Sequence, residues 1–505
     1  MQPRVVIVGL DGISPGVVDR SLSQGRLPNI KRMMDEGVVA DLETTVPSVT
    51  YLAIPSLCTG CKPGTLGFFG FVGPDGEPLD YSSIGRKSFW EYGGLRSLVV
   101  NLRCTYKPRP FNGIMVAGDL LTPGEHAEYT FPSNVKNRVK GFHSGMGQIE
   151  RLHRQGRTGG QVLEFAKRDT EKKLGTFLEL IDEDEYDLAL FWDGNLDLIQ
   201  HFLWEDTGLV DEYYAFLDEK LGHLLRRFGS SDLIVVSDHG FDAEPVYSFH
   251  LNSWLERQGY LSASGSRAIN WLLRSLQPIG YDVHERSRLA AKLIRKALEV
   301  RRGKRRYVGA VPGADTEKTL AYLVAWWGIE LNTGAASSRD ERALAGTIIA
   351  QLDDVMHGGS RVFQGIWTQE EVYGKGDLPG VPRIVFLTDP RYKCVPSLSN
   401  DLVSVRRPGL RGGNHLNSRQ TRLLARGPSF REGGVLGKVS ICDVAPTVLH
   451  ALGLPVPADM NGRVLCESFR EGSAPATRDV TLQGVDLERE RLERRLHKLK
   501  STRCL

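Results

Sequence analysis

The chain has 505 residues, 41% of them hydrophobic and 25% charged, with 64 Lys and Arg against 61 Asp and Glu. That near-average composition excludes disordered, collagen-like and disulfide-scaffold classes, and a net charge of +3 is too small to mark a nucleic-acid or membrane surface. Apolar runs stop short of the ~18–20 residues that span a bilayer, and seven cysteines scattered from Cys58 to Cys504 give no disulfide framework. The chain enters Val5-Val6-Ile7-Val8 directly, without a signal-peptide pattern, so a soluble cytoplasmic protein with no membrane span is expected.

In chain order, Val5–Val8 reads as a strand, Leu27–Glu36 as an amphipathic helix and Leu98–Asn101 as a strand. Gly160–Ile181 reads as a helix, Tyr186–Phe191 as a strand, Leu209–Phe228 as a helix and Leu233–Val236 as a strand. Arg339–Met356 (helix), Arg383–Leu387 and Leu423–Leu424 (strands) and Asp443–Leu452 (helix) complete the series. The alternation predicts an α/β fold with a mostly parallel central sheet and helices on both faces. In such sheets ligands bind beyond the carboxyl ends of the strands.

Residues 68–156 and 242–316 break this rhythm and read as lid or specificity excursions within one domain covering 1–468. The second contains the basic run Arg301-Arg302-Gly303-Lys304-Arg305-Arg306, which lacks interleaved aromatics and reads as a solvated surface. The tail, 469–505, carries Leu492, Leu496 and Leu499 at helical spacing within Asp486–Lys500, too short for a coiled coil. Nothing in the sequence fixes an oligomeric state.

Three strand ends present acids and histidines. Asp11 follows the first strand, Asp193 and Asp197 follow the third, and Asp238-His239-Gly240 follow the fourth. Asp197-x-x-x-His201 puts two side chains on one helix face, where both can reach one metal. Singly each is a common cap or loop feature. Together they form a set suited to Zn²⁺ or Mn²⁺. Thr50, in Pro47-Ser48-Val49-Thr50, sits at a loop-to-helix junction where the helix dipole favours an alkoxide or a phosphate; alone it reads as an N-cap.

Cys58-x-x-Cys61 has no second Cys pair and reads as structural, and Cys61-Lys62-Pro63 lacks the Arg of a sulfatase modification motif at Thr65. Trp326-Trp327, beside Leu323, Val324 and Ile329, reads as a core strand. His250, His284 and His357 fall in no pattern.

The ordered set Asp11, Pro47-x-x-Thr50, Asp197-x-x-x-His201, Asp238-His239-Gly240 and Gly412-Gly413-Asn414-His415 resembles the alkaline phosphatase superfamily. It is most similar to the type I phosphodiesterase/nucleotide pyrophosphatase group and its prokaryotic phosphohydrolase or phosphomutase branch. Asn112–Gly118, Leu423–Pro428, Asp443–Leu449 and Met460–Arg463 extend the likeness over residues 4–466. The resemblance implies an alkaline-phosphatase-like fold and two divalent ions, Zn²⁺ or Mn²⁺, one held by Asp197, His201 and His415. The other would be held by Asp11, Asp238, His239 and the Thr50 oxygen, with Asp193 behind the ligands. It implies cleavage of phosphodiester or nucleotide pyrophosphate bonds in a small phosphate ester or nucleotide, through a phospho-Thr50 intermediate. The Tyr51 amide would share in oxyanion stabilisation. A phosphomonoesterase or phosphomutase on the same centre, or a silent binding protein, are the alternatives. Leu66-Gly67 stands where relatives carry His-Gly, and Phe69-Gly70-Phe71 stands near the place of a phosphoryl-binding Asn.

Overall fold

The computed structural model describes residues 2–70, 79–143, 147–262, 315, 317–332, 338–374, 378–406 and 412–485. The basic run at 301–306, His284 and the tail helix expected at Asp486–Lys500 lie outside the described residues. Two compact units are present: Met1–Phe241 with Ser418–Leu505, and Asp242–Asn417.

The first unit is built on a nine-stranded sheet. Its strands are β1 (Val5–Leu10), β2 (Val38–Glu43), β3 (Ser97–Val100), β4 (Gly113–Val116), β5 (Thr130–Phe131), β6 (Leu188–Asp193), β7 (Asp232–Val236), β8 (Gln420–Arg426) and β9 (Gly434–Ser440). Their spatial order is β9-β2-β8-β7-β1-β6-β3-β4-β5. β1 pairs in parallel with both β6 and β7, in the register Val5↔Leu188 and Val5↔Asp232. β8 and β5 run antiparallel to their neighbours. Wholly buried β1, β6 and β7 are continuous apolar runs, as strands covered on both faces require. Residues 97–100, 113–116 and 130–131, inside the irregular stretch 68–156, are strands of this sheet.

Helices cover both faces. α1 (Pro15–Ser23), α2 (Pro28–Asp35), α4 (Gly159–Asp182), α5 (Asn195–Leu203) and α6 (Thr207–Arg227) share one core with the sheet. α3 (Thr50–Thr59) and α7 (Val444–Ala451) share the other. α4 starts on a capping box in which the Thr158 hydroxyl and the Gln161 side chain satisfy each other's backbone amides. Asp206 caps α6 through the Leu209 amide.

The second unit has its own core around Phe249, Tyr322, Ile348, Phe363 and Phe386. An antiparallel sheet of Ala321–Ala325, Gly328–Leu331, Ile384–Thr388 and Phe363–Thr368 packs against helix Ser338–Asp353. Here the structure differs from expectation. The strand expected at Arg383–Leu387 belongs to this antiparallel sheet, because Ile384–Thr388 hairpins onto Phe363–Thr368. Trp326 and Trp327 do not lie in a strand: they form the turn between Ala321–Ala325 and Gly328–Leu331, with Trp327 buried and Trp326 half-buried. Among the described residues no helix is long and apolar enough to cross a membrane.

Candidate metal centre

Strand alternation decides which polar residues can meet. Along β1, Val6, Val8 and Leu10 face the core of α4 and α6, while Val5 and Ile7 face that of α3. Along β6, Ala189 and Phe191 face the first core and Leu188, Leu190 and Trp192 the second; β7 divides Leu233 and Val235 from Ile234 and Val236 in the same way. Continuing the period of two places Asp11, Trp192 and Asp238 on the α3 side, and Asp193 on the opposite side.

The α3 side is where Thr50 lies. Thr50 is the first helical residue of α3, and the cap position falls on Val49 without any side-chain cap bond. Its hydroxyl points inward instead, with Oγ1 3.2 Å from His239 Nε2. The same nitrogen lies 3.4 Å from Asp11 Oδ1 and 3.3 Å from Asp238 Oδ2. His239 Nδ1 donates to the Gly240 carbonyl at 2.9 Å, which fixes the ring with Nε2 toward Thr50 and the two carboxylates. Asp11, Asp238 and His239 offer ligand atoms within 4.8 Å of one another.

These residues fit a cation. Asp11 Oδ1 and Asp238 Oδ2 are shut off from solvent and receive no hydrogen bond. Burial pushes the Asp11 carboxyl well above its ordinary value; Arg103 opposes this, and Asp238 and Asp197 add to it. Burial likewise raises Asp238, against the pull of His239. Acceptor atoms converging in a buried pocket are expensive unless protons or a metal ion supply the missing positive charge, and mixed carboxylate and imidazole donors suit a metal ion.

Asp197 and His201 project from α5 one turn apart, with Asp197 Oδ1 3.3 Å from His201 Nε2. Asp197 also offers an atom within 4.8 Å of one on His239, which brings the α5 pair to the Thr50 side of the sheet. α5 is fastened to the turn after Asp11 by the Gln200 amide, which donates to the Gly12 carbonyl at 2.6 Å. Gly12 makes that turn at φ +78°, where a Cβ would stand 3.3 Å from both Gln200 Nε2 and His239 Cε1.

Asp193 does something other than steady a histidine. It accepts hydrogen bonds from the Thr170 hydroxyl of α4, the Tyr213 hydroxyl of α6 and the Leu196 amide at the start of α5. It holds the helix that carries Asp197 and His201. His415 is half-buried in the second unit, directly after Gly413–Asn414, which pairs with Asp242–Ala243. The Cys58 and Cys61 thiols are free and buried, away from any metal-ligand grouping among the described residues.

Sequence reasoning missed Arg103 and Trp192. Arg103 is buried at 5% exposure between carboxylates, and Trp192 Nε1 donates to Asp11 Oδ2 at 3.0 Å. The available signal for Arg103 was its place just after a strand, in Asn101-Leu102-Arg103. Asn101 turns the chain there at φ 63° and anchors it by donating to the Trp192 carbonyl.

Residues 5–393 match the family described as type I phosphodiesterase/nucleotide pyrophosphatase. The chain belongs to that family. It is therefore a hydrolase of phosphodiesterase/nucleotide pyrophosphatase type, in a family that depends on metal ions. Curated protein sequences give no match. Among solved structures, human ectonucleotide pyrophosphatase/phosphodiesterase 5 is similar at 14% identity and a TM-score of 0.50, covering 92% of this chain and 98% of that one. The murine counterpart is similar at 16% identity and a TM-score of 0.49, over 89% of this chain and 95% of that one. An inactive form of the murine protein in complex with AMP aligns at 15% identity and a TM-score of 0.49, over 90% and 96%. At such identities the likeness concerns the fold.

Proposed function

We propose that this family member cleaves phosphodiester or nucleotide pyrophosphate bonds by covalent catalysis at Thr50, at a centre for two divalent ions. The observation that carries the reading is the position of Thr50 Oγ1, 3.2 Å from a histidine nitrogen that also faces Asp11 Oδ1 and Asp238 Oδ2. A threonine serving only α3 would have no reason to turn into a carboxylate–histidine cluster.

Asp11, Asp238, His239 and Thr50 Oγ1 would hold one ion and Asp197 with His201 the other. His415 is assigned to the second set on the sequence pattern alone. Mixed carboxylate and imidazole donors suit Zn²⁺ or Mn²⁺. When bound, such ions supply positive charge that favours the Thr50 alkoxide and stabilises the oxygens of the transferring group.

The chain's own residues do the rest. Thr50 Oγ1 attacks phosphorus, forming a P–O bond as the bond to the leaving alcohol or phosphate breaks. The threonine then carries the phosphoryl group with its remaining ester substituent; water attacks that phosphorus, breaks the P–Oγ1 bond, releases the phosphate monoester and returns the hydroxyl. At the start of α3, Thr50 and the Tyr51 amide sit at the positive end of the helix, where phosphoryl negative charge is favoured. His239 is oriented by its bond to Gly240, so its Nε2 keeps facing Thr50.

The test is turnover of a chromogenic phosphodiester against the matching phosphomonoester by Zn²⁺- or Mn²⁺-loaded protein. Faster diester cleavage is expected. Exclusive monoester cleavage would replace this reading with a phosphatase.

A further inference from the structure

We propose that Arg103 is a positioning residue that makes the two ion sites one unit, by pinning one oxygen of Asp11 and one of Asp197 with a single guanidinium nitrogen. The inference rests on the metal-centre reading above and goes beyond it, since no ligand pattern assigns this arginine a role.

Arg103 Nη1 lies 3.1 Å from Asp11 Oδ2 and 3.1 Å from Asp197 Oδ2. Nη2 donates to the Gly194 carbonyl at 2.7 Å, and Nε makes an ion-pair contact with Asp119 Oδ1 at 3.3 Å without a hydrogen bond. Three carboxylates and one carbonyl thus surround the guanidinium. Asp11 Oδ2, in ion-pair contact with Arg103, accepts its hydrogen bond from Trp192 Nε1, and Oδ1 faces His239. Asp197 is divided in the same manner, with Oδ2 on Arg103 and Oδ1 toward His201. One oxygen of each carboxylate thus rests on the same nitrogen. Each carboxylate would then offer its other oxygen to an ion, with the two carboxylates held relative to each other by their shared contact with Nη1.

The slot is built for this side chain. A Cβ on Gly194 would stand 2.7 Å from Arg103 Nε and 3.0 Å from Nη2, so any larger residue there displaces the guanidinium. Lysine keeps the charge but lacks the planar geometry to hold two carboxylates and a carbonyl at once.

Two effects of this cation on metal binding oppose each other. Its charge repels incoming ions, whereas its geometry presents their ligands. Partners that orient metal ligands typically change affinity by about 10–100-fold. If geometry dominates, Arg103→Lys and Gly194→Ala should each weaken both ions by about that factor. If Arg103 is only a counter-charge, Arg103→Met should tighten binding and Arg103→Lys should leave it unchanged.

The experiment titrates metal-free wild type, Arg103→Lys, Arg103→Met and Gly194→Ala with Zn²⁺ against a chromophoric chelator, and records the Co²⁺ absorption of each loaded protein. Thermal unfolding of the metal-free forms identifies any variant that fails to fold, and Gly194→Ala retains the arginine's charge while moving its guanidinium. Two ions per wild-type chain, both weakened together in Arg103→Lys and Gly194→Ala with an altered Co²⁺ spectrum, is the expected result. Unchanged affinities, weakening of one ion alone, or tighter binding by Arg103→Met would overturn the positioning role while leaving the metal centre intact. Failure of wild type to bind two ions would remove the centre and this inference with it.

Discussion

Thr50 Oγ1 and His239 Nε2 lie 3.2 Å apart, although one opens helix α3 and the other follows strand β7. The contact joins a hydroxyl at the positive end of a helix to an imidazole whose other nitrogen is already fixed on a backbone carbonyl. Neither group contributes to its own element's capping or hydrogen-bond ladder.

Thr50→Ala should therefore separate catalysis from stability. Because Val49 occupies the cap position and Thr50 makes no cap bond, loss of the hydroxyl should cost at most about 1 kcal/mol. Activity on a phosphodiester should fall by roughly 10³ or more, since the covalent route is gone. Thr50→Ser should recover part of it, on a side chain with a freer χ1. Steady-state kinetics and thermal unfolding of the same preparations give both readouts.

Asp238→Asn should change the pH dependence of the metal-free protein in a defined direction. Burial raises the folded-state values of Asp11 and Asp238, so between the unfolded and folded values the folded form binds more protons. Their contribution to stability is thus complete below the ordinary carboxylate range and is lost as pH rises through the folded values. In excess chelator, wild type should lose stability across that window and Asp238→Asn should lose less. Added Zn²⁺ should stabilise wild type and have little effect on the variant. Urea unfolding at a series of pH values measures this.

Asp193→Ala should behave oppositely to the ligand variants. Removing the carboxylate leaves Thr170, Tyr213 and the Leu196 amide without their acceptor, each buried group costing about 1–3 kcal/mol. Stability should drop clearly, and the folded fraction should still bind two ions. Metal content by elemental analysis alongside calorimetry distinguishes this from loss of a ligand.

Cys58 and Cys61 should be inert in the folded protein. Burial pushes the Cys61 thiol up to about 11 and Cys58 well above its ordinary value, so little thiolate exists near neutrality. Thiol reagents should label them only after unfolding, and Cys61→Ala should keep full metal content.

How much of this was legible in the sequence follows from where each signal resides. Strands β1, β6 and β7 are continuous apolar runs because both faces are covered, and a polar residue ending such a run stands out. Strands β2 and β9 did not stand out. β2 alternates buried Val38, Ala40 and Leu42 with Asp41 and Glu43, and β9 exposes Val435 at the sheet edge. Asp193 looked like a residue that orients a ligand histidine because it lies close to Asp197 in the sequence. Only strand parity, visible once the two cores are known, sends it to the far face. Arg103 offered only its place after a strand, because its role depends on lying between Asp11 and Asp197, which the fold brings together from distant segments.

The most direct measurement is acid quenching of metal-loaded protein during turnover of a phosphodiester, followed by peptide mapping for a phosphoryl adduct. The account predicts an adduct on the peptide containing Thr50, present in wild type, absent in Thr50→Ala, and on the serine of Thr50→Ser. An adduct on another residue, or near-wild-type turnover by Thr50→Ala without any adduct, would contradict it.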